Sequence, residues 1–229
     1  MTEPASPGPA LTEPASTEPA PTEPVWLTWS RELQAIAQTG LAFTRDPYDR
    51  ERYVALRALA SRIMAAHGDA PAERIDGLFA DESGYATPKA GVRGAVFDAE
   101  GRLLMVREVA DGGRWTLPGG WAEMNLTPAE NVVKEIREES GFDVRVRKLA
   151  AVWDRRRQGH PPAIFPVYRF FFICELLGGE AKPSLETSEI GWFSEDALPD
   201  ELSLGRVLPH QIRRMFVHAR DLSLPTEFD

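Results

Sequence analysis

The segment from Gly119 to Phe142 constrains this chain more than any other. It carries Glu135, Glu138 and Glu139 at i, i+3 and i+4, with Gly141 just beyond them. At roughly 100° per residue, a helix projects these three carboxylates from one face. Like charges so close repel, so grouping them gives the helix no stability of its own. A hard divalent cation reverses that balance. Carboxylates in this arrangement suit Mg²⁺ or Mn²⁺, with phosphate oxygens completing the shell. Neighbouring residues define the helix itself. Ala129, Val132, Val133 and Ile136 form an apolar stripe on a different side. Thr127-Pro128-Ala129-Glu130 reads as a capping box with proline at the first helical position, and Gly141 as a left-handed terminus. Glu130 and Lys134 have the spacing of an i,i+4 ion pair.

Charge sharpens the expectation. With 35 acidic against 26 basic residues, the net charge is −9. Such a chain does not bind nucleic acid or membranes indiscriminately, so no DNA partner and no membrane partner is expected. Handling a polyanionic substrate then requires local neutralisation, which again points to metal ions. Cys174, the single cysteine, lies in the apolar run Phe170–Ile173 and reads as a buried structural thiol. With no disulfide possible within the chain, no apolar run long enough to span a bilayer and no secretory leader, a cytoplasmic protein is expected.

Three regions follow from pattern. In residues 1–24, Thr-Glu-Pro recurs from Thr2, Thr12, Thr17 and Thr22, a composition too polar to fold and expected to be a disordered leader. Residues 25–84 read as a helical module. One helix runs through Arg31–Ala37 and ends at Gly40, a second follows Asp46-Pro47 and stops near Gly68, and a third starts at Pro71. Its apolar surface exceeds what three short helices can bury alone, so it should pack on the next domain or a second subunit. From Tyr85 the period shifts towards two. Strands are expected at Gly91–Phe97, Leu103–Val106, Val144–Trp153, Phe165–Leu176 and Glu189–Phe193, with helices near Glu195–Leu198 and over Arg206–Ala219. The fold class is α+β, with residues 85–229 as the second domain.

Residues 120–142 resemble the Nudix box: Gly, five residues, Glu, seven residues, then Arg-Glu-apolar-x-Glu-Glu-x-Gly-apolar. Gly120, Glu135, Ile136, Glu138, Glu139, Gly141 and Phe142 match, while Leu126 replaces the first box glutamate and Lys134 the arginine. The resemblance implies the Nudix α/β/α sandwich, a mixed sheet between helices. Residues 29–47, with Trp29, Glu32–Leu41 and Asp46-Pro47, are similar to the helical extension of one Nudix subgroup, which also tends to carry the Asn-Leu seen at Asn125-Leu126. That subgroup includes enzymes that cleave CDP-choline and remove pyrophosphate from RNA 5′ ends.

The resemblance implies a metal-dependent pyrophosphohydrolase acting on a nucleoside diphosphate linked to another moiety. CDP-choline-like compounds come first and RNA 5′ ends second. ADP-ribose and oxidised nucleoside triphosphates are the alternatives within the enzyme class, and a nucleotide-sensing domain without turnover is the alternative outside it. Glu135, Glu138 and Glu139 would hold Mg²⁺ or Mn²⁺ together with the Gly119 carbonyl. Besides Glu138 and Glu139, Glu186 and Glu189 are candidates for the base that activates water. Trp121, Glu123, Arg155 and Tyr168 are candidates for substrate binding, Arg155 because Arg155-Arg156-Arg157 is the most basic patch of an acidic chain. The subgroup likeness implies a homodimer through the helical module, with Trp26 or Tyr53 near the partner's active site.

Overall fold

A computed structural model describes residues 23–229. The expected disordered leader therefore lies outside the described residues, apart from Glu23 and Pro24. Pro24 stands at the N-cap of α1 (Val25–Phe43), and Glu23 pairs with Arg31 at 2.5 Å. Two more helices complete the module, α2 (Pro47–Ala65) and α3 (Ala72–Ala80). Asp46 caps α2 by accepting from the Asp49 N–H at 2.9 Å. Leu27, Ala60, Met64, Ile75 and Phe79 form the module's core, closed from outside by Ile164 and Phe165. No helix among the described residues is long and apolar enough to cross a membrane.

α1 passes straight through Gly40 to Phe43, so that glycine does not end the helix. Its role is close approach. A β-carbon there would run into the ring of Tyr53 on α2. Gly40→Val should therefore destabilise the protein by about 1–3 kcal/mol through overpacking. Urea melts of the two proteins test this, and an unchanged midpoint would remove the close-approach reading.

The strands are β1 (Lys89–Phe97), β2 (Leu103–Glu108), β3 (Arg114–Thr116), β4 (Phe142–Asp154), β5 (Val167–Gly179), β6 (Thr187–Phe193) and β7 (Glu227–Phe228). They make one mixed sheet in the order β3-β2-β1-β5-β4-β7, with β6 also paired to β2. The β1–β5 and β4–β7 pairs are parallel, while the β2–β6 and β4–β5 pairs are antiparallel. Side-chain alternation sorts the core into two layers. Val92, Val96, Phe172 and Cys174 pack under α4 (Pro128–Ser140). Ala95, Phe171 and Ile173 pack on the other face with Ile212, Met215 and Phe216 of α5 (Pro209–Arg220). The architecture is the expected α+β sandwich, and Cys174 is buried within it.

Several local expectations need correction. Glu195–Leu198 forms a turn closed by the Ala197 N–H on the Ser194 carbonyl, because Pro199 holds Leu198 out of helical conformation. For the same reason the last helix starts at Pro209 rather than Arg206, with Leu208 extended before it. β5 starts at Val167, freeing Phe165 to pack into the helical module. β3 and β7, of three and two residues, are too short to show any period in the sequence. Glu130 does not pair with Lys134. Its carboxylate accepts from the Thr127 N–H at 2.8 Å and completes the capping box.

Candidate functional site

α4 is fixed at both ends. The Thr127 box starts it, and Gly141, at φ 80°, ends it in left-handed conformation. The loop before it is tied down by Asn131, which is buried and which the sequence reading missed. Its Oδ1 accepts from the Glu123 N–H at 2.8 Å, and its Nδ2 donates to the carbonyls of Leu126 and Thr127 at 3.3 and 3.2 Å. On the other side, the loop joins the edge of β1. The Val92 N–H donates to the Gly120 carbonyl, and the Ala122 N–H to that of Ala90, each at 2.9 Å. The box residues are thus held between α4 and the sheet.

The three box carboxylates occupy different environments. Glu139 is 3% exposed, and its Oε2 accepts from the Gly119 N–H at 2.8 Å. Burial pushes its pKa up to about 7, against the opposing pull of Arg93 and that N–H. Glu135 is half-buried and likewise raised by desolvation. It lies so close to the backbone that a β-carbon at Gly120 would sit 2.6 Å from its Oε1. Glu138 is exposed and accepts from Lys134 Nζ at 2.7 Å, while Lys134 also reaches Glu123 at 3.0 Å. Both carboxylates raise the Lys134 pKa. Among the described residues no three His, Cys, Asp or Glu side chains converge as a ready metal cage.

Arg93 explains much of that geometry, and sequence reading did not single it out. Its buried guanidinium donates to the carbonyls of Gly119 and of Leu117, the latter at 3.2 Å. Burial lowers its pKa, countered chiefly by Glu139 and also by Glu108 and Glu135. A cation of the protein's own thus stands among these carboxylates and bonds one lone pair of the Gly119 carbonyl, which keeps a second. The donors are all hard oxygens, and two of the carboxylates are poorly solvated, a setting that fits Mg²⁺ or Mn²⁺.

These residues border a cleft of about 740 Å³. Glu139, Trp121, Glu186 and Arg155 line it, joined by Arg169 and Arg206. Of the sequence candidates, Glu189 lies elsewhere, paired with Arg107 across β2 and β6 at 3.1 Å. Tyr168 is also outside, since its β5 neighbours Val167 and Arg169 are the ones that line the cleft. Glu123 stays with Lys134. Trp26 stacks on His67 within its own module at 4.6 Å between ring centroids, and Tyr53 packs at Gly40.

The basic patch comes apart. Arg156 folds onto Asp154 at 2.5 Å, whereas Arg155 turns inward and is 8% exposed. Arg155 donates to the Gly205 carbonyl at 3.4 Å, and Arg169, also 8% exposed, to the carbonyls of Gly205 at 2.6 Å and of Arg206. Desolvation, together with Arg93, Arg155 and Arg206, pushes the Arg169 pKa down to about 8. Arg206 faces Glu108 at 3.4 Å.

Comparison with known proteins gives a consistent result. A family model described as the NUDIX domain matches residues 87–211, and one described as a UDP-X-like, N-terminal oligomerisation domain matches residues 24–79. The chain is 45% identical to Bacillus subtilis YjhB, whose name places it provisionally among the ADP-ribose pyrophosphatases. That likeness covers 89% of this chain and 97% of the relative. It is 34% identical to a UDP-X diphosphatase of solved structure (TM-score 0.57), over 90% of this chain and 98% of the other. An ADP-ribose pyrophosphatase structure from Streptococcus suis is 38% identical (TM-score 0.57), over 62% of this chain and all of the other.

Proposed function

The chain belongs to the Nudix family of pyrophosphohydrolases, and on that premise we propose that it cleaves the diphosphate of a nucleoside diphosphate linked to a second moiety, with Mg²⁺ or Mn²⁺. One observation carries the reading: the poorly solvated carboxylate of Glu139 lines a cleft rich in guanidinium groups, and half-buried Glu135 packs against Gly120 in the wall of that cleft. In this reading Glu135, Glu138, Glu139 and the Gly119 carbonyl hold the ion. When bound, it neutralises phosphate oxygens and lowers the pKa of a bound water.

The chain's own residues supply the rest. Arg93 holds diphosphate oxygens by charge-assisted hydrogen bonds, Arg155 lines the cleft as a further contact for an anionic group, and Trp121 at the cleft mouth offers a face for a base or sugar. Glu186 takes the proton of the attacking water, since it lines the cleft while Glu189 is engaged by Arg107. Within the substrate class, a choline would bring its quaternary ammonium towards guanidinium groups. Sugar-linked diphosphates such as ADP-ribose and UDP-sugars therefore rank above CDP-choline.

The test is turnover of a panel of nucleoside diphosphate derivatives with Mn²⁺. Glu186→Gln should lower kcat by about 10²–10⁴-fold, the range for general base removal, and Glu189→Gln should leave it within about twofold. Equal losses in both variants would remove Glu186 as the base. Binding of one compound without hydrolysis of any would replace the enzyme reading with a sensor.

We also propose a homodimer through the helical module. Trp29, Ile36 and Phe43 recur every seven residues along α1 and are 58%, 54% and 67% exposed. A two-fold contact would bury that stripe against its own copy, and the description of the matching N-terminal family supports it.

A further inference from the structure

Arg155 and Arg169 bury two positive charges at one end of the cleft. Among the described residues neither pairs with a carboxylate, and their hydrogen bonds go only to backbone carbonyls of the 205–206 loop. Buried charges are ordinarily paired, because an uncompensated ion loses its hydration for nothing. Of the other cleft arginines, Arg206 faces Glu108 at 3.4 Å, while Arg93, whose hydrogen bonds also go to backbone carbonyls, has the charges of Glu139 and Glu108 acting on it. Arg155 answers instead to Arg31 and to Glu23, which Arg31 already binds. The charges acting on Arg169 are all other arginines, and burial first, then that crowding, depresses its pKa. The box carboxylates are absent from the charges acting on either group. Arg155 and Arg169 thus line the cleft side by side on the 205–206 loop, with no carboxylate among the described residues in an ion pair with either.

We propose that Arg155 and Arg169 form a metal-independent oxyanion subsite, so that the preferred substrate carries a carboxylate or phosphate in its linked moiety as well as the diphosphate. The proposal rests on the reading of the cleft as the pyrophosphohydrolase site. The nucleoside itself is uncharged, which assigns the extra anion to the other half of the substrate. Arg31 supports this end of the cleft from the helical module. It donates to the carbonyls of Ala163 and of Ile164, the latter at 3.1 Å, and so fixes the wall that runs on through Phe165.

Two measurements test it on the full-length protein. The first needs no turnover. In EDTA, inorganic phosphate should raise the melting temperature of the wild type, and that rise should vanish in Arg155→Met and Arg169→Met. Arg155→Lys, which keeps a charge but not the fork, should retain part of it. No effect of phosphate on the wild type, or an equal effect on all four proteins, would overturn the subsite. The second compares UDP-glucose with UDP-glucuronate and with UDP-glucose 6-phosphate. At least one anionic member should be preferred in kcat/KM by about tenfold or more, the scale of one charge-assisted hydrogen bond. The arm that responds identifies carboxylate or phosphate. The preference should fall towards one in the Met variants, whereas an unchanged ratio would show that these arginines serve the diphosphate common to all three. If nothing is hydrolysed while phosphate binding still depends on both arginines, the subsite stands and the enzymatic reading falls.

Discussion

Replacing Glu139 by Gln is expected to lower kcat/KM by about a thousandfold or more, the scale of several kcal/mol of lost charge stabilisation at the metal. The shape of the side chain is kept, and the Gly119 N–H still finds an oxygen, so folding should survive. Stability should change in the opposite direction. In the folded, metal-free protein Glu139 holds its proton to about pH 7, whereas an unfolded glutamate releases it near 4.3. Between those values the folded state binds more protons than the unfolded state, so this group's contribution to stability declines as pH rises through that window. The uncharged amide of the variant would escape that decline. In EDTA the variant should match the wild type near pH 4 and exceed it above pH 7, by at most about 4 kcal/mol. Urea titrations across pH measure the difference. Near-full activity with saturating metal would refute the ligand role, and a pH-independent stability difference would refute the buried-proton reading.

Deleting residues through Phe79 should have the second large effect, an aggregating or monomeric protein with severely reduced activity. Two kinds of contact would be lost. Ile164 and Phe165 would lose the core formed by Leu27, Ala60, Met64, Ile75 and Phe79, and the cleft wall would lose Arg31. The α1 stripe proposed for the dimer would go as well. Deleting only residues 1–22 retains Glu23 and should leave assembly and rate unchanged. Light scattering after size exclusion, read beside kcat and KM, separates the outcomes. A monodisperse, fully active monomer from the longer deletion would sink both the dimer and the supporting role of the module.

The legible features were local ones. The box helix, its two caps and the three glutamates lie within a few residues of one another, so spacing alone places them on one turn or one face. The helical module and most strands were visible for the same reason, as runs long enough to show a period. Errors fell where one residue supports two readings. Gly40 reads as a stop signal, yet it serves a helix crossing at Tyr53. Glu130 has the spacing of an ion pair with Lys134, yet the Thr127 N–H is nearer and its own hydrogen bonds prevail. Lys134 turns instead to Glu123 and Glu138.

By itself, then, the sequence determined the helix that carries the carboxylates and the family, with its class of reaction, to which the chain belongs. Only the tertiary structure decided what faces those carboxylates. Arg93 and Arg169 are charges flanked on both sides by uncharged residues within largely apolar strands, and Arg155 is one of three adjacent arginines; nothing in their spacing marks them as partners. Parallel pairing of β1 with β5 sets Gly91 opposite Arg169 and Arg93 opposite Phe171. The fold of the chain after β4 then turns Arg155, but not Arg156, into the same cleft. Such meetings depend on strand register and on burial between distant segments, which no periodicity along the chain encodes.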